Sequence, residues 1–145
     1  MLQIMSRSIG LTREEIMRVQ SSFDQMWPNS SVMVDLFYAR LFETLPETRP
    51  LFRGDMAQLK HKFIATLAVI VGSLDNITGL LSVIGKLAKD HVHYGVEAAH
   101  YESVGEALFW SLGQGLGERW TPEVEASWHK VYNFLAARMI SAAYH

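Results

Sequence analysis

The chain contains no cysteine. That excludes disulfide staples, iron–sulfur clusters and any cofactor held by thiolate or attached through thioethers. It is also compatible with a reducing compartment, so a cytoplasmic location is expected. Proline is scarce, at four residues in 145, and charged residues make up only 19%. No basic stripe exists: 13 Lys and Arg face 15 Asp and Glu, for a formal charge of -2. Nucleic-acid binding therefore has no electrostatic support. Long apolar runs are missing as well. The longest aliphatic stretch, residues 67–71, is far too short to span a bilayer. The opening MLQIMSRSIG has no basic start followed by an apolar core, so no signal peptide is expected.

What remains is apolar, with 49% hydrophobic residues, and helical in pattern. The length fits one domain over residues 1–145, with residues 1–10 expected as a loose extension. Thr12 with Glu15 forms a capping-box pattern, opening a helix to about Trp27. After Pro28-Asn29, Ser30 or Ser31 is expected to cap a helix carrying Val34, Tyr38, Leu41 and Leu45. Pro46 and Pro50 punctuate a short tight segment ending at Phe52. Gly54-Asp55 resets the chain before a long helix with Met56, Leu59, Phe63, Leu67, Ile70 and Leu74 in register. Another begins near Thr78 and stops at Gly95. Tyr101, Val104, Leu108 and Leu112 mark the next, expected to close at Gly113, Gly115 and Gly117. Thr121-Pro122 starts the last helix, which bears Val124, Trp128, Val131, Leu135 and Met139. Unequal amphipathic helices without strand signals predict an all-α fold of globular helix packing rather than an up-down bundle.

Within that frame one residue carries most of the chemistry. Leu80, Ile84, Leu87 and His91 follow at steps of four, three and four, so they share one helix face. Three are apolar; the fourth brings an imidazole to the same face, and a buried imidazole must satisfy both ring nitrogens. A haem iron can take one nitrogen while a carbonyl one turn back takes the other's proton. A core histidine with ordinary hydrogen-bond partners satisfies the same rule. Tyr38, on a buried stripe, is either a core tyrosine or a hydrogen-bond donor to a bound diatomic ligand. Phe52 is either a loop plug or a ring packed on a planar cofactor. Lys62 is either a solvated charge or a partner for a propionate carboxylate.

The chain resembles the globin family, and within it the bacterial single-domain globins related to the globin half of flavohaemoglobins. The resemblance is carried by LFYARLF (36–42), RPLF (49–52), the stretch 58–67 and DHVHYGVEAAHYESVG (90–105). Trp128, Lys130 and Tyr132 continue it. It implies a three-over-three helical sandwich around one non-covalent b-type haem. His91 matches the proximal iron ligand through its spacing to Gly95-Val96. His93, roughly 200° around the helix, is expected off the apolar face. Phe52 matches the haem-packing phenylalanine, and Tyr38 the distal tyrosine. Tyr101 resembles a tyrosine near the proximal histidine. Leu87, Val96, Val104, Leu108 and Leu135 are implied wall residues.

Two positions depart from the family pattern. A distal glutamine is usual three residues before the basic residue; here Leu59 stands there, with Gln58 one step earlier. Leu59 and Phe63 keep the apolar register, so Leu59 is the expected distal neighbour, with Gln58 the alternative if the helix bends by one residue, while His61 falls about 200° away. On the proximal side the family's glutamate position holds Ala143, which implies a less electron-donating His91. The expected ligands are oxygen, carbon monoxide and nitric oxide. The resemblance implies reversible oxygen binding, as in transport or storage. It also allows nitric oxide detoxification as a dioxygenase, or gas sensing through a partner. No flavin or nicotinamide domain is expected in the chain, so turnover needs a separate reductase.

Overall fold

Thr12 begins the first helix with both halves of a capping box. Its hydroxyl accepts from the Glu15 amide at 3.1 Å, and the Glu15 carboxylate accepts from the Thr12 amide at 2.9 Å. The computed structural model describes the backbone of residues 11–51, 54–93 and 100–144. Within these, the side chains of 48, 51, 77, 87–93 and 140–144 lie outside the described set. The expected loose extension, Phe52 and Val96 also lie outside the described residues.

Helix α1 (Arg13–Met26) buries Ile16, Val19, Phe23 and Met26 at helical spacing. A single 3-10 turn at Trp27–Asn29 leads straight into α2 (Ser30–Thr44). Neither Ser30 nor Ser31 caps α2, contrary to the sequence expectation: the capping position is Asn29, with no side-chain hydrogen bond. The physical reason is continuity. Ser30 is already helical (φ -60°, ψ -37°), so no extended residue exists at the junction from which a serine could reach back.

A 3-10 segment, Pro46–Leu51, follows α2. Gly54 then adopts φ +94°, which favours glycine. Asp55 caps α3 (Met56–Gly72) by accepting from the Ala57 amide at 2.9 Å. After a short turn, Asn76 accepts from the Gly79 amide at 3.3 Å in the first turn of α4 (Ile77–His93). Helix α5 (His100–Leu116) runs through Gly113 and Gly115, which the sequence reading had placed at its end. A Cβ at Gly113 would lie 3.1 Å from Trp120 Cδ1, and one at Gly115 would lie 3.4 Å from Met26 Cγ. These two glycines permit close packing, and only Gly117 (φ +57°) turns the chain. A 3-10 turn at Gly117–Arg119 precedes α6 (Pro122–Tyr144), where the Thr121 hydroxyl accepts from the Val124 amide at 3.2 Å.

Among the described residues all regular structure is helical. Helix α2 packs most extensively on α5, α4 on α6, and α1 on α6. Trp128 sits where α6 meets α1, 2% exposed, its indole donating to the buried Ser22 hydroxyl at 2.8 Å. Among the described residues no helix is long and apolar enough to cross a membrane.

Candidate haem site

Helix α2 turns Val34, Tyr38 and Leu41 inward, and Tyr38 is 5% exposed. Among the described residues three aromatic rings pack against its own. Phe37 meets it edge-on at 5.1 Å, Phe63 edge-on at 5.9 Å, and Phe42 is tilted at 5.8 Å. Phe63 stacks on Phe37 at 4.4 Å. In this apolar setting burial pushes the Tyr38 phenol up to about 12, so it stays protonated and able to donate.

The rotation of α3 is set from α2. Lys60 pairs with Asp35 at 2.9 Å, and Phe63 stacks on Phe37 from the same side. This leaves Leu59 and Phe63 half-buried, while Gln58, His61 and Lys62 are exposed. Leu59 lies one turn before Phe63, on the face nearest Tyr38, and Gln58 does not share that burial.

On α4, Leu80 and Ile84 are fully buried. Position 91 lies within the same continuous helix, seven residues beyond Ile84. The side chains of Leu87, His91 and His93 lie outside the described residues. From α5 and α6, Tyr101, Leu108 and Leu135 are buried and Val104 is half-buried. The Tyr132 hydroxyl donates to the Tyr101 carbonyl, and burial together with the nearby Tyr101 drives the Tyr132 phenol far above its usual range. Ala143 falls within α6, its side chain outside the described set.

Phe37 and Phe42 belong to the Tyr38 surroundings but escaped the sequence reading. Phe37 is 2% exposed although it neighbours Tyr38 in sequence. Phe37 lies three residues after Val34 and four before Leu41, so it shares the broad apolar face with Tyr38, and a reading in steps of four and three passes over it. Both are buried because α2 is covered by α5 and by α3. The described residues supply a phenol donor among aromatic rings and apolar side chains on α3, α5 and α6, and the α4 backbone carries position 91. That donor set suits a porphyrin iron, which needs one protein nitrogen and otherwise apolar surroundings.

Comparison with known proteins agrees. The globin family model matches residues 35–139. A flavohemoprotein of Bordetella pertussis is 35% identical over 107 residues, covering 72% of this chain but 27% of that protein. The rice protein named anaerobic nitrite reductase NSHB5 is 29% identical over 132 residues, covering 87% of this chain and 90% of the rice protein. Among solved structures, an engineered carbene transferase from Rhodothermus marinus superposes with a TM-score of 0.83 at 29% identity. That likeness covers 92% of this chain and 93% of the other. The chain thus spans about a quarter of the Bordetella flavohemoprotein it matches. Fold and site together define an all-α haem protein of three-over-three build. The chain belongs to the globin family, and its cofactor is haem. Without a cysteine to form a thioether, that haem is of the non-covalent b type.

Proposed function

We propose that residues 1–145 form one cytoplasmic globin domain that reversibly binds oxygen, carbon monoxide and nitric oxide. In this reading the haem is five-coordinate when ferrous and is held by His91. Phe52, Leu87, Val96, Tyr101, Val104, Leu108 and Leu135 line it in this reading, and Lys62 pairs with a propionate. Ferrous haem supplies one open coordination position at which a diatomic ligand binds.

The observation that carries the proposal is Tyr38, a protonated phenol 5% exposed and enclosed by Phe37, Phe42 and Phe63. Its hydroxyl donates to a ligand atom that bears partial negative charge. Such a hydrogen bond is worth about 1.5–3 kcal/mol. At about 1.4 kcal/mol per decade, it slows oxygen release by roughly ten- to a hundred-fold. Leu59 and Phe63 add no polar contact; they narrow the site and keep water out. Stopped-flow oxygen release from the Tyr38→Phe variant tests this. An off-rate raised about tenfold or more is expected, and an unchanged rate removes Tyr38 from the mechanism. The companion variant, His91→Ala, is expected to lose haem or its normal ferrous, ferric and carbon-monoxide absorption series.

A second reading, nitric oxide dioxygenation with a separate reductase, draws support from the 35% identity to a flavohemoprotein. Sustained nitric oxide consumption in the presence of a cellular reductase would favour it. Consumption that stops after one equivalent favours reversible binding alone.

A further inference from the structure

On the opposite flank of α3 from Tyr38, an open groove of about 430 Å³ runs between α1 and the end of α3. Gln20, Phe23, Asp24 and Trp27 form one wall; Ala68, Val71 and Gly72 form the other. None of the oxygen-binding argument uses it. Its volume falls in the range of small-molecule sites, which combine apolar walls with a few placed polar groups.

The wall chemistry is specific. Phe23 and Trp27 make an aromatic corner, ring centres 5.6 Å apart and planes 50° apart. Trp27 remains 47% exposed, so part of its ring is open to a ligand. Gln20 ties the two walls together by donating to the Val71 carbonyl at 3.0 Å, so the groove has a fixed width. The charge is one-signed. Asp24 presents a carboxylate with no ion pair among the described residues, and no basic residue lines the groove. The α3 C-terminus at Gly72 adds the partial negative charge of a helix end. Gly72 and Ala68 keep the far wall low, and a Cβ at Gly72 would meet nothing within 4 Å.

We infer that this groove between α1 and α3 binds a small amphipathic organic cation. The ammonium sits between Asp24 and the α3 carbonyl end, and the apolar body lies against Phe23 and Trp27. The exposed face of Trp27 attracts the cation through its quadrupole, the carboxylate gives the sign preference, and the apolar walls take the hydrocarbon. A neutral or anionic ligand of the same shape loses two of these three terms. Only one exposed carboxylate and a half-open ring are engaged, so affinity in the millimolar range is expected.

Calorimetric titration of the haem-loaded full-length chain with phenethylammonium chloride tests this, with 2-phenylethanol as the neutral counterpart. Saturable one-to-one binding of the amine is expected, about tenfold tighter than the alcohol. Asp24→Asn should reduce amine affinity about tenfold and leave alcohol affinity unchanged. Trp27→Leu should weaken both, while neither variant alters the haem absorption spectrum or the melting temperature by more than about 2 °C. Absence of saturation, equal affinity for amine and alcohol, or indifference to Asp24→Asn overturns the proposal. So does binding of a lysine-rich peptide without binding of the amine, which would make the groove a protein-docking surface. The oxygen off-rate measurement on Tyr38→Phe addresses different residues, so the two ideas fail separately.

Discussion

Tyr132 fills the space that Gly105 leaves open, and the fit admits nothing more. A Cβ on residue 105 would come 2.6 Å from Tyr132 Cε2, closer than atoms tolerate. The ring cannot swing away easily. Its hydroxyl is held by the Tyr101 carbonyl, and Phe109 lies edge-on to it at 5.6 Å. Gly105→Ala gains about 0.5–1 kcal/mol of helix propensity. It loses about 1–3 kcal/mol to overpacking as α5 and α6 are pushed apart. The second effect should win, lowering the melting temperature of the haem-loaded protein by a few degrees in a thermal scan; an unchanged value would mean that the ring yields. Tyr38 offers a pH test at the same scale. Its phenol is raised to about 12 by burial, from an ordinary value near 10. A group raised on folding contributes its full stability below the unfolded value and loses it as pH rises through the folded one. The contribution of Tyr38 is therefore intact up to about pH 10 and lost towards pH 12, and the oxygen off-rate should stay flat over pH 7–10. The tyrosine itself was legible in the sequence from its place on the Val34–Leu41 stripe. Its aromatic surroundings were not, because a stripe on one helix does not reveal which rings from another, such as Phe63 of α3, close on it.

At the level of whole elements, the helix starts announced themselves better than the stops. Thr12 with Glu15 and Thr121 before Pro122 both form the bonds their spacing implies. Capping is a short-range affair, set by residues within one turn, so one sequence suffices to read it. Gly113 and Gly115 misled because their reason is distant: Trp120 and Met26 pack against them. The first cap also reaches across the fold. Glu15, 8% exposed, meets the Lys130 ammonium of α6 at 2.7 Å. Burial opposes its ionisation, but Lys130 together with the Thr12 amide and hydroxyl outweighs that and holds the carboxyl below its usual 4.5. A depressed carboxyl stabilises above its unfolded value and loses that contribution as pH falls through the folded one. Glu15→Gln keeps an acceptor for the Thr12 amide and removes only the charge facing Lys130, so it should cost about 0–1 kcal/mol near neutrality. Below about pH 4.5 its stability should fall less steeply than that of the parent chain. Urea titrations at pH 7 and pH 3.5 check both arms, and parallel losses in the two proteins would deny Glu15 the role.

For the molecule as a whole, burial divides unevenly along α3, one of the two helices that the proposed function assigns to the haem. In α3 the second half is closed, with Leu67, Ile70 and Val71 buried, while Met56, Leu59 and Phe63 in the first half are only half-buried. In α4 the first half supplies the buried Leu80 and Ile84, and the register of His91 lies at the other end. The α2–α5 and α1–α6 pairings, with Phe37, Leu41, Leu112 and Trp128 at their centres, depend on none of those residues. The all-α packing could be read from periodicity, since the helices carry their own apolar stripes, and the globin class from the resemblance that the ordered motifs carry. This division of labour could not be, because stripes do not reveal which partner covers them. It predicts a graded response to haem extraction. A ligand that binds only the folded state, at a thousandfold excess over its Kd, stabilises by about 4 kcal/mol. Removal should therefore lower the melting temperature by roughly 8–16 °C. Hydrogen exchange should locate the loss: amides of 56–64 and 86–93 exchange faster in the haem-free protein, while those of α1, α2 and the middle of α6 keep their protection. Uniform loss of protection would mean that the core built around Trp128 cannot stand without the cofactor, and that the fold is a single cooperative unit with its haem.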